Sequence, residues 1–236
     1  MTKTYQYQFP GFPGDFKSPS KGMKDVFHAY MSRGVMFDDS TEMPIMQSEC
    51  MVPKGLISFS ETMVPKCTDF DSYVHFYEND CHIERFWNAP WKYMDRLSMF
   101  AGFVSPDYSS TPDMKLPQRQ FNVYRNQLIG AWLQSLGYHV ICNVRSPAFG
   151  HGYSLAGAPH QSLIAIGSVG CVKNRSDRHR FEGGLIRLID TLEPIGLIVC
   201  GSDSYDVFDY AKEKEIPLHF YSGQTQKFFE GDGHER

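Results

Sequence analysis

Five apolar segments of the chain are each followed at once by residues that could bind or transform a ligand. The residues concerned are Asp80, Asp107, Asn143, Arg145, Ser168, Gly170, Gly201 and Asp203. If the segments are parallel strands, their carboxyl ends share one rim, where such folds bind ligands. We predict a site there, with Asp80 and Asp107 as catalytic carboxylates able to hold a metal such as Mg²⁺ and the others as ligand-binding residues. The alternative is that polar residues merely end the strands.

Arg125 stands on the apolar side of a helix predicted over residues 117–136. Its neighbours at helical spacing are Phe121, Leu128, Ile129 and Trp132. A buried guanidinium is costly without a partner, and arginine cannot escape by losing its proton. We predict that Asp107, at the end of the preceding strand, pairs with it. Two interpretations stay open: a structural ion pair, or an anion site to which Arg125 contributes.

A basic cluster lies around the start of another predicted helix. The cluster consists of Lys173, Arg175, Arg178, His179 and Arg180, of which Lys173, Arg175 and Arg178 are predicted to bind a phosphate together with free backbone N–H groups. The alternative is an ordinary solvated helix start. Before this cluster, the glycine-rich segment 146–159 is predicted to be a mobile lid. Its G-x-G opens no helix, so it does not indicate a dinucleotide site.

Seven apolar, β-rich segments alternate with helical segments from about residue 56 onward. This alternation predicts an α/β fold whose mostly parallel strands are covered by helices. A barrel-like (β/α) arrangement is favoured over an open doubly wound sheet, because strand–helix units run on without an evident switch point. The helix after the second strand should begin with Asp80 as its N-cap and kink or divide at Pro90.

Composition divides the 236 residues into three parts. Residues 1–50 are predicted to form an arm, rich in aromatics, glycine and proline, that packs on the body. Its first aromatic residues are Tyr5, Tyr7, Phe9 and Phe12, which could contact a protein partner. Residues 51–226 are predicted to form a single α/β domain and residues 227–236 a polar tail. The net charge of -4 and the pI near 6.1 show no overall positive charge of the kind that nucleic-acid-binding proteins carry.

Nothing in the sequence predicts export or membrane insertion. Residues 1–10 lack the apolar region of a signal peptide, and no apolar stretch is long enough to cross a bilayer. The six cysteines form no C-x-x-C pair of the kind found in zinc or redox motifs. We therefore expect a cytoplasmic protein with reduced thiols and no membrane partner.

Several segments carry a resemblance to a known family. They are "HFYENDCHIERFWNAPWKYMDRLSMFAGFVSPDYS", "FNVYRNQLIGAWLQSLGYHVICNV", "AIGSVGC" and "IGLIVCGS", spanning roughly residues 70–202. In order and spacing they resemble the uncharacterised bacterial and phage family called domain of unknown function 4417. Pro106, Asp107 and Ser109 match its Pro-Asp-x-Ser motif, and Tyr124 with Arg125 matches its Tyr-Arg motif.

The chain departs from the family pattern at two places. Asn79 and Asp80 stand where the family has a paired acid, and Arg145-Ser146-Pro147 stands where it usually has a tryptophan. The resemblance implies a bacterial setting or a phage-infected host cell. It supplies no function.

Three functions compete on the residues alone. The first is binding, or binding and hydrolysis, of a phosphate-bearing ligand such as a nucleotide or nucleic acid at the strand ends, with Mg²⁺ as a fitting cofactor. The second is a non-catalytic phage or host interaction protein that uses its aromatic arm. The third is a glycoside-directed hydrolase built on Glu78, Asp80 and Asp107, which requires two carboxylates at a defined separation. The sequence does not decide between an enzyme and a binding protein.

Overall fold

A computed structural model describes residues 28–145, 152–172 and 174–222 of the protein. Its seven strands form one sheet in the order of the chain, and every neighbouring pair is parallel. They are β1 (Leu56–Ser58), β2 (Tyr73–His75), β3 (Gly102–Val104), β4 (Val140–Asn143), β5 (Leu163–Gly167), β6 (Gly196–Cys200) and β7 (Leu218–Tyr221). The predicted α/β class is confirmed. The sequential order matches the favoured barrel-like arrangement, and the sheet curls into a half-barrel.

Helices follow most of the strands and cover the outer face of the sheet. They are α1 (Phe59–Thr62), α2 (Asp80–Asn88), α3 (Met94–Leu97), α4 (Leu116–Ser135), α5 (Arg175–Leu192) and α6 (Asp209–Glu213), with 3-10 turns at Ala29–Ser32, Pro90–Lys92 and Gly152–Ser154. As predicted, Pro90 divides the segment after β2, because proline removes a backbone donor and clashes with the preceding turn. The longest helix, α4, has Pro117 in its first turn and ends just before Gly137, whose φ is +89°.

The two faces of the sheet bury different sets of side chains. Alternate strand residues point outward to pack under the helices, and the residues between them point into the curl. The inner set is Leu56, Tyr73, Val104, Ile141, Leu163, Ala165, Ile198 and Cys200. Apolar residues therefore line much of the inside of the half-barrel.

An extended segment before β1 lies against the amino ends of the strands. The Met46 backbone N–H donates to the Gly157 carbonyl at 2.9 Å, and Glu49 O accepts from the Leu163 N–H at 2.8 Å. The Met46 side chain is buried in the core. This segment is part of the predicted arm. Residues 1–27, with the arm's first aromatics, and residues 223–236, with the tail, lie outside the described residues.

Within the described ranges, no helix combines the length and apolar character needed to cross a membrane.

Candidate functional site

A cleft of about 570 Å³ opens at the carboxyl ends of the central strands, and we call it the rim cleft. Its walls come from the loops after β2, β3, β4 and β5, from the first turns of α2 and α5, and from Cys200 at the end of β6. Among the residues named from the sequence, those that line it include Glu78, Asp80, Asp107, Arg145, Gly170 and Arg180. Open α/β sheets bind ligands at this kind of location.

Asp107 and Arg145 form the centre of a hydrogen-bonded chain in the rim cleft. Arg145 Nη1 lies 3.1 Å from Asp107 Oδ2, and Asn143 Nδ2 donates to Asp107 Oδ1 at 3.0 Å. Tyr77 in turn donates its hydroxyl to Asn143 Oδ1 at 2.9 Å. Both Asp107 oxygens are thus engaged, which fixes the carboxylate and the guanidinium relative to β4.

Burial dominates the electrostatics of this chain. Burial raises the pKa of Asp107 above its ordinary value, although Arg145 and Asn143 oppose the shift. The Asp107 carboxylate raises the pKa of Arg145, so this guanidinium stays charged. Burial also raises the pKa of Tyr77 well above 10.0, which keeps its hydroxyl a neutral donor.

Asp80 reaches the rim cleft from the first turn of α2. Its Oδ1 accepts from the backbone N–H of Ser109 at 3.0 Å and from the Ser109 hydroxyl at 3.1 Å. Its other oxygen has no hydrogen-bond partner within the described ranges. The N-cap position belongs to Asn79, so the prediction of Asp80 as N-cap was wrong by one residue. Asp80 instead ties the loop after β3 to α2.

Arg125 is largely buried, as predicted, with 12% of its side chain exposed, but its carboxylate partner is not Asp107. Its Nη1 lies 2.8 Å from Glu84 Oε2 on α2, and its Nη2 donates to Asn122 Oδ1 at 2.6 Å. The guanidinium also lies 3.6 Å from the centre of the Tyr108 ring. The prediction of an Asp107–Arg125 pair was wrong, because α4 packs this side chain against α2. Arg125 does not line the rim cleft.

Comparison with known proteins shows the family to which the chain belongs. A sequence model described as Domain of unknown function (DUF4417) matches residues 35–222. The chain belongs to this family. The family match spans all seven strands and every loop that lines the rim cleft.

Two phage proteins are similar to the chain over most of their length. The Gene 1 protein of Mycobacterium phage L5 is 28% identical over 226 residues, which cover 92% of this chain and 94% of the relative. The Gene 1 protein of Mycobacterium phage D29 is 27% identical over 213 residues, covering 86% and 76% respectively. No solved structure is a significant match. The family resemblance that the sequence motifs indicated is therefore confirmed.

The other predicted ligand residues lie around the rim cleft without lining it. Ser168 is buried, and its hydroxyl donates to the Ser202 carbonyl at 3.5 Å, beside Gly201. Asp203 pairs with Lys212 at 2.9 Å on the surface. Asn143 does not line the cleft but donates a hydrogen bond to Asp107, which does.

The predicted basic cluster is dispersed by α5. Arg178 lies 3.9 Å from the centre of the Tyr205 ring, and Arg175 is exposed at the first position of the helix. Lys173 lies outside the described residues, as do residues 146–151 of the predicted lid. The α5 cation that does line the rim cleft is Arg180, which pairs with Asp177.

Sequence reasoning missed His82, Cys171 and Asp177, which all line the rim cleft. The sequence prediction was limited to residues directly after each strand and to the basic cluster, whereas His82 and Asp177 lie in the first turn of a helix. The position of each residue around its predicted helix could have identified those in α2 and α5, because the first turns of these helices face the strand ends. Within the described ranges, no three His, Cys, Asp or Glu residues come close enough together to hold a metal ion by themselves.

Proposed function

We propose that the rim cleft binds a phosphate-bearing ligand, such as a nucleotide or a nucleic acid end. The proposal rests on the exposure and the hydrogen bonding of the Arg145 guanidinium. Its side chain is 29% exposed and lines the cleft, and Nη1 alone is held by Asp107. Nε and Nη2 have no hydrogen-bond partner within the described ranges. A fixed guanidinium with two free donors suits the oxygens of a phosphate.

The start of α5 adds to the attraction for an anion. This helix has 18 residues, and its first turns contribute Asp177 and Arg180 to the cleft wall. The backbone N–H groups at a helix start carry a partial positive charge. Arg145 and the α5 start thus approach the ligand from different walls.

The charge of the rim cleft requires a cation to accompany the phosphate. Four carboxylates and two guanidiniums line it, a formal charge of -2 with His82 neutral. Mg²⁺ binds readily through one or two carboxylates together with phosphate oxygens, so a cluster of three protein ligands is not needed. Asp80 has a carboxylate oxygen without a partner within the described ranges, whereas both Asp107 oxygens are already engaged. We therefore propose Mg²⁺-dependent binding through Asp80.

Hydrolysis of the bound ligand would use the cation held at Asp80, because a bound Mg²⁺ would make a coordinated water more acidic and a better nucleophile. Release of inorganic phosphate from the bound nucleotide therefore decides between a hydrolase and a binding protein.

Calorimetric titration with nucleotides, with and without Mg²⁺, tests the proposal. Arg145→Met should weaken binding at least about tenfold, since a charge-assisted hydrogen bond contributes roughly 1.5–3 kcal/mol. Asp80→Asn should remove the dependence on Mg²⁺. The matched control is Arg187→Met, because Arg187 is exposed on α5 outside the cleft.

Two results would count against the proposal. One is the absence of binding heat with every nucleotide and phosphate-ended oligonucleotide tried. The other is an Arg145→Met variant that binds as tightly as the wild type.

A further inference from the structure

His82 is held at one ring nitrogen and open at the other. Its Nδ1 lies 3.1 Å from the hydroxyl of Ser60 and 3.4 Å from Glu78 Oε1. Glu78 is itself anchored, because its Oε2 accepts from the Ser60 backbone N–H at 3.0 Å. The ring lines the rim cleft with 41% of the side chain exposed, and Nε2 has no hydrogen-bond partner within the described ranges.

The Ser60 hydroxyl fixes which ring nitrogen of His82 carries a hydrogen. Arg85 Nη2 donates to the Ser60 hydroxyl oxygen at 3.2 Å, so the hydroxyl hydrogen can be donated to His82 Nδ1 at 3.1 Å. With Nδ1 as the acceptor, the ring carries its hydrogen on Nε2 and presents an Nε2–H donor.

The other charged groups around His82 make no hydrogen bond to its Nε2 in the described part of the chain. Arg85 on α2 donates to the Ser60 hydroxyl at 3.2 Å and not to Glu78. The remaining charges lining the cleft are Asp80 on α2 itself, Asp107 after β3, Arg145 after β4, and Asp177 with Arg180 on α5. Asp107 and Asp177 are each paired with an arginine.

We propose that the rim cleft recognises a terminal phosphate monoester, with His82 Nε2–H donating to one of its oxygens. This inference rests on the proposed function and narrows its ligand. Three groups lining the cleft can each take one oxygen: His82 and a cation at Asp80, both on α2, and Arg145 after β4. A terminal phosphate offers three non-bridging oxygens, whereas an internal phosphodiester offers two. A free nucleotide and a phosphorylated nucleic acid end share this chemistry.

Matched probes separate a monoester from a diester. Adenosine 5′-monophosphate and its methyl ester differ at one phosphate oxygen, and both are titrated into the full chain with Mg²⁺. A 5′-phosphorylated oligonucleotide, compared with its 5′-hydroxyl form, then tells a nucleic acid end from a free nucleotide. The wild type should bind the monoester at least about tenfold more tightly than the methyl ester, the value of one charge-assisted hydrogen bond.

Two substitutions test the role of His82 directly. His82→Asn keeps a polar atom near the Nδ1 position but has none at Nε2, so the two probes should bind almost equally. His82→Gln places an amide N–H near the Nε2 position and should retain part of the preference. His179→Asn is the control, since His179 is exposed on α5 and does not line the cleft. Thermal denaturation of each variant verifies that it is folded.

Equal affinities for the two probes in the wild type would overturn this inference and leave phosphate binding intact. So would an unchanged preference in folded His82→Asn. Failure of the wild type to bind either probe or either oligonucleotide would overturn both this inference and the proposed function.

Discussion

Arg125 offers a quantitative test of how α4 packs against α2. Arg125→Met keeps the aliphatic volume but removes the charge-assisted bonds to Glu84 and Asn122 and the contact with the Tyr108 ring. Such bonds contribute roughly 1.5–3 kcal/mol each and a cation–π contact about 0.5–2 kcal/mol. Two facts reduce the total: Glu84 is 43% exposed and can be rehydrated, and Arg125 Nε is a buried donor without a partner within the described ranges. We expect a net loss of about 2–3 kcal/mol.

Urea denaturation followed by circular dichroism measures this loss, and the melting temperature should fall by roughly 5–10 °C. Glu84→Gln alone should cost less than about 1 kcal/mol, because its carboxylate is half-exposed. In double-mutant cycles, Arg125 should couple to Glu84 by more than about 0.5 kcal/mol and to Asp107 by less. Strong coupling to Asp107 with none to Glu84 would refute the packing described above.

Two further substitutions have defined outcomes. Burial opposes ionisation of Glu49, but hydrogen bonds from the Met51 backbone and His139 hold the pKa of its carboxyl below 4.5. Its contribution to stability is therefore present above pH 4.5 and lost as the pH falls through the lowered pKa, so the urea midpoints of the wild type and Glu49→Gln should converge in acid. Gly157→Ala should cost about 2 kcal/mol or more in the same assay, since φ is +74° there and an added Cβ would collide with the Pro44 carbonyl.

The fold was readable from the sequence because strands and helices differ in their apolar period. The apolar segment 163–167 and the amphipathic helix from Phe181 to Leu192 both lie where the pattern placed them. The strand order was less accessible, since local periodicity does not state which strands pair. The absence of a switch point nevertheless favoured the sequential order that the sheet has.

The candidate site was readable where its residues come soon after a predicted strand. Asp107 and Arg145 lie in such segments, Asp80 begins α2, and the three meet in one cleft. The partner of Arg125 was misassigned because Glu84, 41 residues away, reaches it through helix packing that local periodicity does not record. His82 was missed for a similar reason: its ring contacts Ser60, 22 residues away, through packing of the folded chain.

A crystal structure of the protein with Mg²⁺ and a nucleoside 5′-monophosphate tests the central claim most directly. We predict that the phosphate lies in the rim cleft, with an oxygen about 2.7–3.2 Å from the Arg145 guanidinium. A nucleotide bound elsewhere on the protein, or a rim cleft that holds only solvent at saturating nucleotide, would contradict the claim.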